Sequence, residues 1–456
     1  MKSPRSLSDM TSQEFLMMIL RRTTVLLLLC LLAPNKALLA QLPGEYLLAV
    51  HGCDPNNTNC KDPRNHSTYL LYSNDGASWQ VLPGFTSFKG SVPDLVRRGD
   101  TLYVYTPQTL RRYHIKSQRW DPPVRVKLND PKAPWGYVDP SLLIDDQGRL
   151  VILYLPGDLS GHLGRCPPNT PSCVKEFRSA VEAPDSDGAI FEAVAGTRVA
   201  VKLSQGQGAW DPDWFFDGQR YVAYISHGQS IQVYTSPTLH GSYALHTKLK
   251  DGMLVRGFGG VPCGHFDPTT QRYWTYAHTR VNGQEVVRRA VHATLDQELK
   301  DHDFQVVVQG TTLGTASSRA ESPAITVNFP HMGKAQAYGS ACGSPELASN
   351  GRAPVLGSSV FGLELEKGDP GRVLALAFGA ARTSVDLSVF GWPACRLQAH
   401  PDLVLGGTIA KDGSFAVTLP IPNNKSLLDK SLHTQAIIAS VPGTASAGIT
   451  VTIGRM

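Results

Sequence analysis

The chain has 456 residues, more than one hydrophobic core usually supports, so two folded units or a repeat array are expected. Charged residues make up only 18%, while Gly (42) and Pro (32) abound, which favours short strands joined by tight turns and excludes long helices. The formal net charge of +5 is scattered rather than gathered into a basic run, which excludes nucleic acid as the partner.

The N-terminus carries Arg21 and Arg22, then an apolar run from Val25 to Ala33, then Ala37-Leu38-Leu39-Ala40. This order reads as a secretory signal peptide over 1–40, cut near Ala40. The apolar run is roughly half the length a bilayer core requires. A secreted or cell-envelope protein with no membrane span after signal removal is therefore expected.

Residues 41–310 hold a weak repeat: a proline, a short apolar strand, a polar turn and an aromatic strand. The copies begin at Val92-Pro93-Asp94, Asp139-Pro140-Ser141, Asp211-Pro212-Asp213 and Val261-Pro262-Cys263. Their second strands are Leu102-Tyr103-Val104-Tyr105, Leu150-Val151-Ile152-Leu153-Tyr154, Tyr221-Val222-Ala223-Tyr224 and Tyr273-Trp274-Thr275-Tyr276. Successive prolines stand 47, 72 and 50 residues apart, a period that predicts propeller blades of several strands each. The Pro43 to Val50 segment is expected to start a fifth unit, giving a five-bladed β-propeller.

The stretch 311–334, rich in Gly, Thr, Ala and Ser, reads as a linker. Beyond it, 335–456 alternates turns with short apolar strands such as Val373 to Phe378 and Ser414 to Leu419, which predicts a small antiparallel β-sandwich. The fold class is thus all-β throughout. Cys53 with Cys60, and Cys166 with Cys173, are expected as local disulfide staples, since neither pair has the spacing of a zinc knuckle. Cys342 and Cys395 are expected to close the C-terminal domain, which leaves Cys263 as a buried, inert thiol.

The order of proline, apolar strand, Asp-Gly turn and aromatic strand resembles the five-bladed propellers of the arabinanase and levansucrase type, which include many glycosidases. Ser73-Asn74-Asp75-Gly76-Ala77-Ser78-Trp79 looks like a shortened Asp-box, a structural turn of sialidase propellers. The C-terminal stretch, with Tyr338-Gly339-Ser340-Ala341-Cys342 and Ala394-Cys395, is similar to a module that ends secreted proteins of planctomycete-like bacteria.

The first resemblance implies a base Asp, a tuning Asp and an acid Glu at the funnel. Asp94, Asp139, Asp211 and Asp213, beside the repeated prolines, are the candidate catalytic carboxylates, with Asp94 as base and Asp139 as the tuning group. No Glu is evident at an equivalent inner-strand position, and Glu45, Glu182 and Glu192 are weak substitutes. Asp next to Pro also caps strands by taking backbone N–H groups, so a structural role competes. Trp135, Trp210 and Trp214 are candidate sugar platforms, joined by His265 and Arg256 as substrate contacts. The metal stays open, with a structural calcium in the propeller channel the one cofactor allowed for. Two functions follow: a carbohydrate-active glycoside hydrolase, or a non-catalytic glycan-binding or cell-surface protein.

Overall fold

The computed structural model describes residues 42–53, 59–60, 62–145, 147–157, 164–314, 319–329, 333–422, 424–439 and 443–454. The signal expected over 1–40 lies outside the described residues. The chain forms two compact units, one drawn from Leu39–Met332 and one from Gly333–Gly454. Among the described residues the regular elements are strands and short 3-10 turns, and no helix is long and apolar enough to cross a membrane.

The first unit is a five-bladed β-propeller. Five strands each open a sheet: β1 (Asp94–Arg98), β2 (Tyr137–Ile144), β3 (Trp210–Phe216), β4 (Gly260–Asp267) and β5 (Ala320–Val327). Each lies beside the next, and β5 returns to β1, so the five close a ring around one axis. Antiparallel strands follow outward, as Leu150–Pro156 and Ser172–Glu182 do behind β2. Neighbouring blades cover both faces of such a second strand, which is why residues Leu150 to Leu155 are apolar and buried without alternation.

Proline decides where each inner strand begins to pair. It has no N–H for the ladder, and the register slips by a bulge around Pro140, Pro212 and Pro262. The residue before each proline takes a positive φ: Val92 45°, Asp139 49°, Asp211 44°, Val261 45° and Ser322 48°. Such a conformation costs about 1–3 kcal/mol per residue and is least comfortable for β-branched Val92 and Val261. Its recurrence in all five blades makes it part of the repeat.

The fifth blade differs from expectation. Its inner strand is β5, inside the stretch 311–334 that reads as a linker, and not the Pro43 to Val50 segment. Tyr46–Cys53 is the second strand of that blade, paired with β5 on one side and with His66–Ser73 on the other. Ser322-Pro323-Ala324 repeats the motif, but its partner strand comes from the opposite end of the unit. No aromatic hairpin therefore follows it in sequence.

Apolar clusters fill the seams between blades. Phe177, Val199, Leu203, Trp214 and Ile225 belong to the one joining the blades of β2 and β3. Burial of each such side chain contributes about 1.5–3 kcal/mol. The Asp-box-like turn is structural as well. Asp75 Oδ1 accepts the N–H groups of Ala77 and Ser78, both at 2.8 Å, and the indole of Trp79 donates to the Gly76 carbonyl at 3.1 Å.

In the second unit one sheet runs in the order Gly333–Tyr338, Gly448–Ile453, Ser431–Ile438, Val373–Gly379 and Leu403–Thr408. A second sheet holds Glu346–Ser349, Gly362–Glu366 and Phe415–Thr418. Leu363 and Leu365 from the smaller sheet share one core with Leu374, Leu376, Ile438 and Val451 from the larger, so the two layers bury each other.

Cys53–Cys60 and Cys342–Cys395 are disulfides. Cys166 and Cys173, expected as a third pair, are free thiols, as is buried Cys263. The two thiols lie side by side; within their loop the Thr170 N–H donates to the Pro167 carbonyl at 3.0 Å, and the Cys166 N–H ties the loop to the Gln207 carbonyl at 2.8 Å.

Candidate functional site

The residues on either side of the repeated prolines meet at one end of the axis. Asp94, Asp139, Asp211 and Asp213 all line a cavity of about 20 Å³, together with Val92, Val261 and Ser322. That volume holds roughly one water. A second axial cavity of about 80 Å³ lies further along the inner strands, lined by Asp94, Asp213, Arg97 and His265 among others. Both are far below the roughly 300–1,000 Å³ of an ordinary ligand pocket.

The four aspartates divide into two kinds. Those after proline are buried, Asp94 at 5% and Asp213 at 8% exposure, whereas Asp139 and Asp211, before proline, keep partial access to solvent. Asp94 Oδ2 accepts the N–H of Leu142 at 2.8 Å, and Asp213 Oδ2 accepts that of Gly264 at 2.7 Å. Ser141 Oγ accepts the Trp214 N–H at 3.1 Å, and the Cys263 thiol takes the Ile325 N–H. Each residue after proline thus ties the next inner strand by the same backbone group. At the fifth place Ala324 has nothing to offer, and Asp94 Oδ1 takes the Leu95 N–H itself at 2.5 Å.

Burial pushes both latch carboxyls up, Asp213 to about 7, while Asp94 also feels the charge of Asp213. At the mouth, the Asp211 N–H donates to Asp139 Oδ2 at 3.3 Å. Burial raises both of these carboxyls as well, and Asp211 is lifted further by the charges of Asp139 and Glu321.

Glu321, on β5 just before Ser322-Pro323, is the inner-strand glutamate that the local motif does not reveal. Its side chain, 13% exposed, contacts His51 Nε2 at 3.1 Å, Arg319 Nη1 at 2.5 Å and His278 Nε2 at 3.6 Å. Burial opposes its charge, but the hydrogen bond from His51 and the nearby His278 and Arg319 outweigh it and hold Glu321 down to about 2. His51 is kept neutral by burial. Its Nδ1 accepts the Val92 N–H at 2.7 Å, so its proton sits on Nε2, facing Glu321.

Neither cluster of metal-ligating side chains found among the described residues is the all-oxygen set that the calcium allowed for in the channel would take. Calcium takes six to eight oxygen ligands. The groups within ligating distance of one another are His51, His66 and Glu321, and His278, Glu285 and Glu321. The proton on His51 Nε2 also disqualifies that atom as a ligand. The carboxylates of Asp94 and Asp213 already accept backbone N–H groups.

Several expected contacts fall elsewhere. Trp214, 2% exposed, belongs to the core between blades, because β3 turns it into the seam. Trp210 is half-buried beneath the Arg165 guanidinium, 5.6 Å from the ring centre. Arg256 lines neither axial cavity and pairs with Glu298 at 3.1 Å. His265 packs between Tyr46 and Trp274 on the wall of the second axial cavity. Glu182 ends the strand Ser172–Glu182 and is bound by Arg98 at 2.5 Å, and Glu192 accepts from Asn129 on an outer strand. Trp135, by contrast, stands 54% exposed in the turn that leads into β2.

No family model matches the chain, and no curated protein matches it. Solved structures with a similar chain path include an exo-β-1,3-galactanase from Phanerochaete chrysosporium, at 10% identity and a TM-score of 0.34, covering 82% of this chain and 98% of that one. An endo-arabinase from Bacteroides thetaiotaomicron has 16% identity and a TM-score of 0.36 over 56% of this chain and 90% of its own. An endo-1,5-α-L-arabinanase from Thermotoga petrophila has 11% identity and a TM-score of 0.36 over 80% and 98%. The chemistry of the site rests on its own residues.

Proposed function

We propose that this chain is an exported, carbohydrate-active propeller protein that hydrolyses a glycosidic bond at the mouth of its axial channel. Asp211 is the proton donor, Glu321 the carboxylate that activates water, and Asp139 the neighbour that keeps the Asp211 proton in place. The observation that carries this reading is the juxtaposition at one mouth of a carboxyl lifted in pKa, Asp211, and a carboxylate held charged, Glu321. Cleavage of a glycosidic bond needs such a split between an acid and a base. Room for about one water in the cavity beneath the mouth suits the hydrolytic step. The two disulfides suit an oxidising compartment.

The test is release of reducing ends from a panel of plant and algal glycans by the wild type, Asp211→Asn and Glu321→Gln. Each substitution should lower kcat about 100-fold or more, with the melting temperature monitored alongside. Equal rates in all three proteins reject the assignment. A second reading, a glycan-recognition module without turnover, is favoured by the close hold of His51 and Arg319 on Glu321. Binding of a glycan that the wild type never cleaves would establish it.

A further inference from the structure

We propose that a groove between the blades of β1 and β2 binds an acidic glycan, one bearing carboxylate or sulfate groups on its rings. Trp135 is the stacking platform, and Arg125 and Lys127 are the anion contacts. The inference rests on the mouth being directed at glycans, but not on hydrolysis there.

The groove has a volume of about 780 Å³, within the roughly 300–1,000 Å³ of sites that hold small ligands. Trp135 lines it with just over half of its surface in water. A flat indole left exposed beside a cleft suits the apolar face of a sugar ring. Arg125 and Lys127 flank Val126, which is buried, so the two-residue period of the extended chain turns both cations outward into the same groove.

Gln108 holds these parts together. Its side-chain N–H donates to the Trp135 carbonyl at 3.0 Å, and its side-chain oxygen accepts from Arg125 Nη2 at 3.4 Å. Its backbone carbonyl takes the Val126 N–H at 3.0 Å. The platform and the guanidinium are therefore positioned by one residue.

Among the described residues lining the groove none is acidic. Guanidinium and ammonium groups bind anionic oxygens through charge-assisted hydrogen bonds. The groove adjoins the mouth along β2: Val138 lines the groove, and the next residue, Asp139, lines the axial cavity.

The experiment is calorimetric binding of oligogalacturonates, sulfated galactan oligosaccharides and neutral arabino-oligosaccharides to the full chain carrying Asp211→Asn, at low and high salt. Acidic ligands should bind at least about 10-fold more tightly than neutral ones, and salt should erode the difference. Arg125→Gln and Lys127→Gln should each cost about 10-fold for the acidic ligands alone, whereas Trp135→Ala should weaken all three. The ratio between the carboxylated and sulfated ligands then identifies the anion.

Equal affinity for neutral and acidic ligands, or no effect of the two Gln variants, overturns the proposal. These three side chains are solvent-exposed, so an unchanged melting temperature is the control for folding. Acidic binding at the groove without turnover by the wild type overturns hydrolysis alone. Cleavage of neutral glycans with no acidic preference overturns the groove assignment alone.

Discussion

Asp94 and Leu142 are joined across a seam between blades: the carboxylate of the first accepts the backbone N–H of the second at 2.8 Å. The same bond recurs from Ser141 to Trp214 and from Asp213 to Gly264. A buried aspartate in this position is therefore spoken for as an acceptor. Asp94→Ala leaves the Leu142 N–H without its partner, which should cost about 1–3 kcal/mol in urea unfolding. Asp94→Asn keeps one carbonyl oxygen and should cost less. An unchanged midpoint in Asp94→Ala would remove the seam role.

The pH dependence of stability should carry the mark of Asp213. Its carboxyl is raised by burial to about 7 in the folded chain, above its ordinary value of 3.8. Between those values the native state holds a proton that the unfolded state has lost. Stability attributable to this group therefore rises as pH falls from about 7 toward 4, with a slope approaching 1.4 kcal/mol per pH unit at most. Melting temperatures measured from pH 8 to pH 5 should climb more in the wild type than in Asp213→Asn. Parallel curves would contradict the burial argument.

The mouth yields a kinetic counterpart. Asp211 must keep its proton to act as acid, so activity should fall on the alkaline side as that proton is lost. Part of its elevation comes from the neighbouring charge of Asp139. Asp139→Asn removes that charge, lowers the Asp211 pKa and should move the alkaline limb of kcat/KM to lower pH. A limb that stays put, with only its height changed, would assign Asp139 a purely structural part.

These distinctions explain what the sequence could reveal. The proline-marked repeat is local, so four of the five inner strands are legible from composition and turn chemistry alone. Ser322-Pro323-Ala324 escapes because its partner strand, Tyr46–Cys53, lies at the other end of the unit, and a long-range pairing leaves no local pattern. Asp94 and Asp139 look equivalent as acids beside proline. The bulge with positive φ separates them, leaving Asp139 at the mouth and Asp94 inside the seam. Glu321 gathers Arg319 from the end of its own strand, His51 from the strand paired with it in the same blade and His278 from the neighbouring blade, and the last two come from parts of the chain far from it in sequence.

The two disulfides should contribute unequally, because cross-linking acts mainly by restricting the unfolded chain and grows with loop length. Cys342–Cys395 closes a separation of 53 residues and Cys53–Cys60 one of 7. The logarithmic dependence makes the larger loop worth roughly 2 kcal/mol more. It also lies in a unit with its own core, built around Leu363, Leu374 and Val451. Cys342→Ser with Cys395→Ser should therefore lower one thermal transition, that of residues 333–454, and leave the propeller transition in place. Cys53→Ser with Cys60→Ser should shift the other transition, and by less. A single transition that responds equally to both pairs would show instead that the two units unfold as one and that loop length does not set the difference.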